Sequence, residues 1–377
     1  LHMVHKPSFA VLGAGNGGAA TAADLTVRGF QVNLWEHPDF SASIQPLQEA
    51  GGIHLETVPS IPLKEGFARV HLITTDIEKA LDGVDAVLVI VPAFAHRKIA
   101  EYCTPYLQDH QVVIISPGNF GGAIQFQNIF QERGRAQDVV FAEAECMIYA
   151  CRKKGPTTIW IRRYKKGLRY AALPAAKTDR VLEIMQQVYP EAQRAENILE
   201  TGLSNCNPTQ HPPIVLLNGA RIERSGGDFL FYNEGVTPGV IRIIEAADQE
   251  RMAVCAALHT KIRSAYEQEV AWYGYQGCSG HNLYESMTNN PFYATSKAPS
   301  SFQHRYLTED VPYGLAPVEE LGSLVGVATP TITAIINFAQ LLTQRDLRSD
   351  RRSLADLGLE GLTPEQLVRF INEGSPT

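Results

Sequence analysis

The sequence predicts an α/β domain built on a doubly wound parallel sheet, followed by an all-α domain. Over residues 9–173 short apolar runs alternate with helical patterns, the mark of a parallel sheet covered on both faces. Val87-Leu88-Val89-Ile90-Val91 shows no polar alternation, as a strand buried on both sides requires. After about residue 198 strand signals nearly vanish and long helical patterns take over. The expected domains are 4–198 and 199–377, and 377 residues suffice for two of ordinary size.

The first element is the most informative. Phe9 to Leu12 leads into Gly13-Ala14-Gly15-Asn16-Gly17-Gly18, then an Ala-rich helical pattern, then a second apolar run ending in Glu36. This is the G-x-G-x-x-G dinucleotide fingerprint in a strand–turn–helix context, so the domain is expected to be of the Rossmann type. Gly13 permits the tight turn, Gly15 lets backbone approach a pyrophosphate, and Gly18 lets the helix sit close on the strand. Asn16 and Gly17 open the helix whose N–H groups would face the phosphates. A carboxylate at Glu36 can accept bonds from both adenosine ribose hydroxyls and would repel a 2′-phosphate. No Lys or Arg follows until Lys64, which leaves no nearby cation for that phosphate. NAD(H) is therefore expected over NADP(H); as a bland alternative, Glu36 is a solvated turn residue.

Further strands are expected at 31–35, 69–73, 86–91 and 112–115, with helices near 17–28, 76–82, 94–107 and 121–132. Pro92 ends the central strand at its carboxyl edge, where doubly wound sheets bind ligands. Val112–Ile115 runs into Ser116-Pro117-Gly118-Asn119-Phe120-Gly121, a loop expected beside the nicotinamide, or else a plain Pro/Gly turn. Runs at 139–143, 157–162 and 168–173 add strands, the last two joined by a basic turn, Arg162 to Lys166, read as a solvated hairpin tip. A helix near 175–188 completes the domain. Beyond it, 237–271 reads as one long helix, Thr329–Leu342 as another with Pro330 in its first turn, and Leu354–Ile371 as two short ones. The active site is expected in the cleft between the domains.

Composition narrows the class. Net charge is −7, which argues against a nucleic-acid or anionic-membrane partner. No apolar run approaches the ~18 residues needed to span a bilayer, and no apolar segment follows a basic start. Leu1-His2-Met3 before Val4 reads as a cloning remnant, with Met3 the expected natural start. Six cysteines lack C-x-x-C spacing and read as reduced thiols, not as a disulfide framework or a metal site; a cytoplasmic location is expected.

Hydride transfer belongs to the cofactor; the protein must supply a proton donor and a substrate anchor. Two clusters offer these. Asn205-Cys206-Asn207-Pro208-Thr209-Gln210-His211-Pro212-Pro213 sets His211 just before an expected helix start, with prolines at first-turn positions. An imidazole titrates near neutrality and suits proton exchange, although such a His could equally cap a helix or fill a core. His304-Arg305-Tyr306-Leu307-Thr308-Glu309-Asp310 offers an Arg fork for a carboxylate and an acid able to orient a His. Its bland alternative is a surface Arg–Asp pair.

Gly13-Ala14-Gly15-Asn16-Gly17-Gly18, Asn207-Pro208-x-x-His211-Pro212 with Leu216-Leu217-Asn218, and Arg305-Tyr306-x-x-Glu309-Asp310-Val311-Pro312 together resemble the opine dehydrogenases. The resemblance spans about residues 7–373, including Gly326 to Pro330 and Asp356-Leu357-Gly358-Leu359. It implies NAD(P)H-dependent reductive condensation of an α-keto acid, usually pyruvate, with the amino group of an amino acid. It further implies His211 as general acid/base, Asp310 as its orienting partner and Arg305 as binder of the keto-acid carboxylate, with the oxidative direction favoured at higher pH. Asn207 is assigned to substrate as well. Glu143-Ala144-Glu145-Cys146 departs from the more polar, Pro-containing segment of relatives; Glu143 or Glu145 could hold a substrate cation or be a structural acid. Trp272-Tyr273-Gly274-Tyr275 could cover a substrate side chain or pack a core. A homodimer is the expected assembly. One rival is a keto-acid reductase of the same build that forms an alcohol and relies on Lys, with Lys261 and Lys297 as its available lysines. The other is a nucleotide-binding sensor without catalysis.

Overall fold

The computed structural model describes residues 6–376, so the expected start at Met3 and the domain onset at Val4 lie outside them. The chain forms two compact units. One comprises residues up to Gly118 together with Gly122–Ile198; the other comprises Asn119–Gly121 and the chain from Leu199 onward.

Among its described residues the first unit carries twelve strands: β1 Phe9–Leu12, β2 Val32–Trp35, β3 Ile53–Glu56, β4 Gly66–Ala68, β5 Leu72–Thr74, β6 Ala86–Val89, β7 Val112–Ile115, β8 Val140–Ala144, β9 Tyr149–Lys153, β10 Thr158–Tyr164, β11 Arg169–Leu173 and β12 Gln193–Arg194. The larger sheet runs β12-β11-β8-β7-β6-β1-β2-β5. Its six strands β5-β2-β1-β6-β7-β8 are parallel, and the order reverses between β1 and β6. That is the doubly wound Rossmann order, whose switch point opens the ligand crevice at the strands' carboxyl ends. β1, β2, β6 and β7 are buried along their whole length, which explains the unbroken apolar runs of β1, β6 and β7; in β2 the buried Asn33 donates to the Ala80 carbonyl at 3.0 Å.

A second sheet, β4-β3-β10-β9, lies across the helix Asn16–Val27. This helix is enclosed all round, and Ala19, Ala20, Ala22 and Ala23 are buried. Large side chains would hold the layers apart, so the Ala-rich composition follows from the position. Buried Asp24 accepts from Arg28 at 2.9 Å and from the Tyr149 hydroxyl at 2.5 Å, tying the helix to β9.

Two expectations need correction here. The runs at 157–162 and 168–173 are not a hairpin: β10 and β11 belong to different sheets. The basic segment between them is no solvated tip, since Arg163 and Lys165 are buried and Lys165 Nζ donates to the Met147 carbonyl at 2.5 Å. The strands β3, β4 and β9 are short and only partly apolar, and none of them is among the strands the sequence predicts.

In the second unit the long helix breaks. Pro238–Ala257 ends at Leu258, His259 turns with φ +55°, and a new helix, Ala265–Tyr273, starts at a capping box formed by Ser264 and Glu267. Of the two short helices expected at the end only Pro364–Glu373 forms, capped by Thr363; the segment before it is turns. Pro330–Thr343 has Pro330 in its first turn as expected. Among the described residues no helix is long and apolar enough to cross a membrane.

The glycine turn yields a separable pair of predictions. A Cβ on Gly18 would overlap the Gly13 carbonyl oxygen, whereas one on Gly15 meets nothing within 4 Å. Gly18→Ala should lower stability by about 1–3 kcal/mol or more, the cost of forced overpacking. Gly15→Ala should leave the urea midpoint nearly unchanged and weaken NADH binding instead. Equal midpoints for the two variants would contradict this.

Candidate active site

In the first unit β1 runs into Gly13, which takes φ +101° and lies against the carbonyl of Ile90, the residue after β6. No side chain other than glycine fits that turn. Glu36 follows β2, and its carboxylate accepts from the Ala14 N–H at 2.9 Å and the His37 N–H at 2.8 Å. The acid is thereby fixed over the glycine turn. Gly15, exposed and without neighbours, leaves open space where a pyrophosphate would approach. Gly17 faces Met147 and Ile90. Asn16 does not point at that space: its Oδ1 accepts the Lys153 N–H at 2.9 Å, bracing the helix start against β9. Pro92 begins the turn after β6, its carbonyl accepting the Ala95 N–H at 2.9 Å.

The expectation that no cation lies near Glu36 is overturned. Lys153 on β9 is half-buried, and burial pushes its ammonium pKa down while the Glu36 charge pulls it up. Chain distance hid this neighbour. These residues fit a dinucleotide: turn, open approach, free helix start and ribose acid are all present.

Three expected site residues are otherwise engaged. Glu143 is fully buried, and its Oε1 accepts the Ala123 N–H at 2.9 Å at the start of the helix Gly122–Glu132. Glu145 is also buried, bonded to the Arg169 backbone at 3.0 Å and to its guanidinium at 2.8 Å. Both are structural acids, and neither stands open to a substrate cation. Trp272 is buried edge-on against Tyr273 at 6.3 Å and serves as core.

In the second unit Asn119, with φ +49°, clusters with the helices, and its Oδ1 lies 3.4 Å from Asn205 Nδ2. The neighbouring Phe120 carbonyl receives two bonds from the buried Arg352 guanidinium, at 3.0 and 2.7 Å. His211 lies inside the helix Asn207–Leu217, not ahead of it, and Pro212 and Pro213 sit within that helix. Proline's fixed φ is helical, so the helix survives with two ladder donors missing. Asn207, half-buried, stands one turn before His211 on the same face.

His211 Nδ1 lies 2.8 Å from Asp310 Oδ2, and its Nε2 lies 3.0 Å from the Tyr232 hydroxyl. Tyr306 covers the imidazole with ring centroids 4.0 Å apart, and Phe231 stacks on Tyr306 at 4.9 Å. The acid fixes the tautomer: Nδ1–H donates to Asp310, leaving Nε2 for proton exchange. Arg305 pairs with buried Glu309 and keeps 62% of its side chain exposed, so its outer donors face solvent. Tyr232 carried no sequence signal, because it belongs to no motif.

The course of the chain before His211 is set by Arg251. Its guanidinium is buried and donates to Asp248 at 2.6 and 3.0 Å, to the Leu203 carbonyl at 2.5 Å, to the Arg263 carbonyl at 2.9 Å and to Cys206 Sγ at 3.6 Å. Asp248 Oδ2 also accepts the Ala265 N–H at 2.7 Å.

Removing one member of a buried pair leaves an uncompensated charge, at about 3–5 kcal/mol. Asp248→Ala should lose stability on that scale in urea titration. Removing the exposed Arg221–Glu234 pair should move the midpoint little. Equal losses would refute the special standing of Arg251.

Known proteins share this architecture. Residues 194–343 match the family described as NAD/NADP octopine/nopaline dehydrogenase, alpha-helical domain, and residues 8–140 match the NAD-dependent glycerol-3-phosphate dehydrogenase N-terminus. The chain is 38% identical over 363 residues to an opine dehydrogenase of Arthrobacter sp. (strain 1C), covering 96% of this chain and 98% of that protein. Octopine dehydrogenase solved with NADH and pyruvate superposes with TM-score 0.73 at 23% identity, over 95% of this chain and 96% of that one. Yersinopine dehydrogenase with NADP+ bound gives 0.69 at 15% identity, covering 98% of both.

Proposed function

The chain belongs to the opine dehydrogenase family, and we propose that it condenses an α-keto acid with the amino group of an amino acid by NAD(P)H-dependent reduction, and runs the reverse. The observation that carries this reading is the imidazole of His211 held at 2.8 Å by Asp310. His211 is the general acid/base. Asp310 orients it and stabilises its imidazolium form. Arg305, its Nε held by Glu309, presents its outer donors to the keto-acid carboxylate. Pyruvate is the keto acid we assign, and Asn207, one turn before His211 on the same helix, is assigned as a further substrate contact. The bound nicotinamide cofactor supplies the hydride that reduces the C=N carbon.

NAD(H) is the cofactor we favour. Glu36 is fixed by two backbone N–H groups, and a 2′-phosphate would meet its charge. Lys153 offsets part of that repulsion, so the preference is set by the balance of the two. A cytoplasmic location is supported by six cysteines that are all free thiols. A homodimer is supported by apolar side chains left on the helix Pro330–Thr343, where Phe338 is 62% and Leu341 73% exposed. The alcohol-forming rival loses one of its lysines, since Lys297 pairs with Asp228 at 2.7 Å on the surface.

NADH should be oxidised when pyruvate and an amino acid (Arg, Ala, norvaline or Phe) are both present, and not with pyruvate alone. Turnover on the keto acid alone would replace this reading with the alcohol-forming one. His211→Ala should cost about 10²–10⁴ in turnover, the usual worth of a positioned acid/base, with NADH affinity retained. The oxidative reaction releases a proton, so its equilibrium should move forward as pH rises.

Glu36→Ser should raise the NADPH-to-NADH ratio of kcat/KM, and Lys153→Ala should lower it. No change in either variant would remove Glu36 and Lys153 from cofactor selection.

A further inference from the structure

We propose that His211 exchanges its proton with substrate through the Tyr232 hydroxyl, so that Asp310, His211 and Tyr232 form a three-member relay. The inference rests on the reading of His211 as the acid/base. Each imidazole nitrogen carries one lone pair or one N–H. Nδ1 is engaged by Asp310 at 2.8 Å, Nε2 by Tyr232 at 3.0 Å, and Tyr306 covers a ring face. A substrate oxygen therefore reaches this proton either by evicting Tyr232 or by bonding to its hydroxyl.

Packing opposes eviction. The Tyr232 ring stacks on Tyr293 with centroids 3.8 Å apart and 18° between planes, meets Phe231 edge-on at 5.0 Å, and is 5% exposed. Tyr293 is itself fixed by its hydroxyl, which donates to Glu269 at 2.8 Å. The backbone is fixed too: the Phe231 N–H donates to the Ser296 carbonyl at 2.7 Å, and the Tyr232 carbonyl accepts the Val236 N–H at 3.1 Å. Passing the proton through the hydroxyl keeps the His211–Tyr232 bond and the Tyr232–Tyr293 stack intact.

The relay balances. During carbinolamine dehydration the imidazolium Nε2–H gives its proton to the Tyr232 oxygen, while the Tyr232 O–H proton goes to the departing hydroxyl. The C–O bond breaks, water leaves, and the nitrogen lone pair completes the C=N bond of an iminium ion. His211 ends neutral, and Tyr232 is a phenol before and after. In the oxidative direction water attacks the iminium carbon and gives a proton to the Tyr232 oxygen, whose own proton moves to Nε2. Nδ1–H stays on Asp310 in both directions.

Tyr232→Phe keeps the ring and its stack and removes only the hydroxyl. With NADH, pyruvate and the best amine, its kcat should fall about 100-fold, with KM for pyruvate, NADH binding and the thermal midpoint little changed. Replacing Tyr232 with a ring-fluorinated tyrosine, whose hydroxyl is more acidic, should restore turnover and displace the kcat–pH profile to lower pH. A merely structural hydroxyl would leave that profile in place. Wild-type or higher kcat in Tyr232→Phe overturns the relay, and marks the hydroxyl as an occupant that substrate evicts. An undisplaced profile in the fluorinated enzyme overturns it too, even if Tyr232→Phe fails to fold. His211→Asn, assayed alongside, separates the two readings. Full turnover in it removes the acid/base assignment itself, whereas its inactivity beside a fully active Tyr232→Phe rejects only the relay.

Discussion

Arg251 carries a charge that is 2% exposed, and a guanidinium taken out of water is tolerated only when its donors meet acceptors. Those acceptors come from three places: its own helix at Asp248, the turn at Leu203 to Cys206, and the segment at Arg263 that leads into the next helix. Satisfying one cation thus positions the chain entering the histidine helix and the start of the helix Ala265–Tyr273. The two prolines after His211 weaken the ladder of its own helix, so what holds His211 in place must come largely from such tertiary contacts.

The nucleotide-binding unit depends on closeness instead of charge. The helix after the glycine turn is enclosed by two sheets, and its small side chains let both layers approach. The single buried acid on it, Asp24, is paired with Arg28 and Tyr149, so the enclosure holds no orphaned charge. Cradle and covering sheet are one packing problem, and the alanines are its solution.

Legibility followed the range of the interactions. The glycine turn was readable because each glycine answers a local backbone demand, and β1, β6 and β7 because burial on both faces leaves only apolar residues. β3, β4 and β9 were not, since short, half-polar segments become strands only by pairing with partners far away in the chain. The break after Ala257 was written in Ser264-x-x-Glu267, but a continuous apolar period masked it. His211 and Asp310 were reached through motif resemblance. Tyr232 was not, because nothing near Phe231-Tyr232 in the chain announces what it faces. Glu143 misled for the opposite reason: an acid in an apolar strand looks available until the helix start that binds it is seen.

The bond between Asn16 and the backbone of Lys153 joins the phosphate-binding turn to a strand of the other sheet. The acid proposed to read the ribose and the base proposed to temper it therefore arrive on independent scaffolds. Substitutions at position 36 act on an edge of the cradle itself, where Ala14 also depends on the carboxylate. Substitutions at position 153 leave the cradle whole, because only its main chain touches Asn16. On the proposed reading, an evolving lineage thus has a second adjustment for coenzyme choice, one that can drift without disturbing the glycine turn.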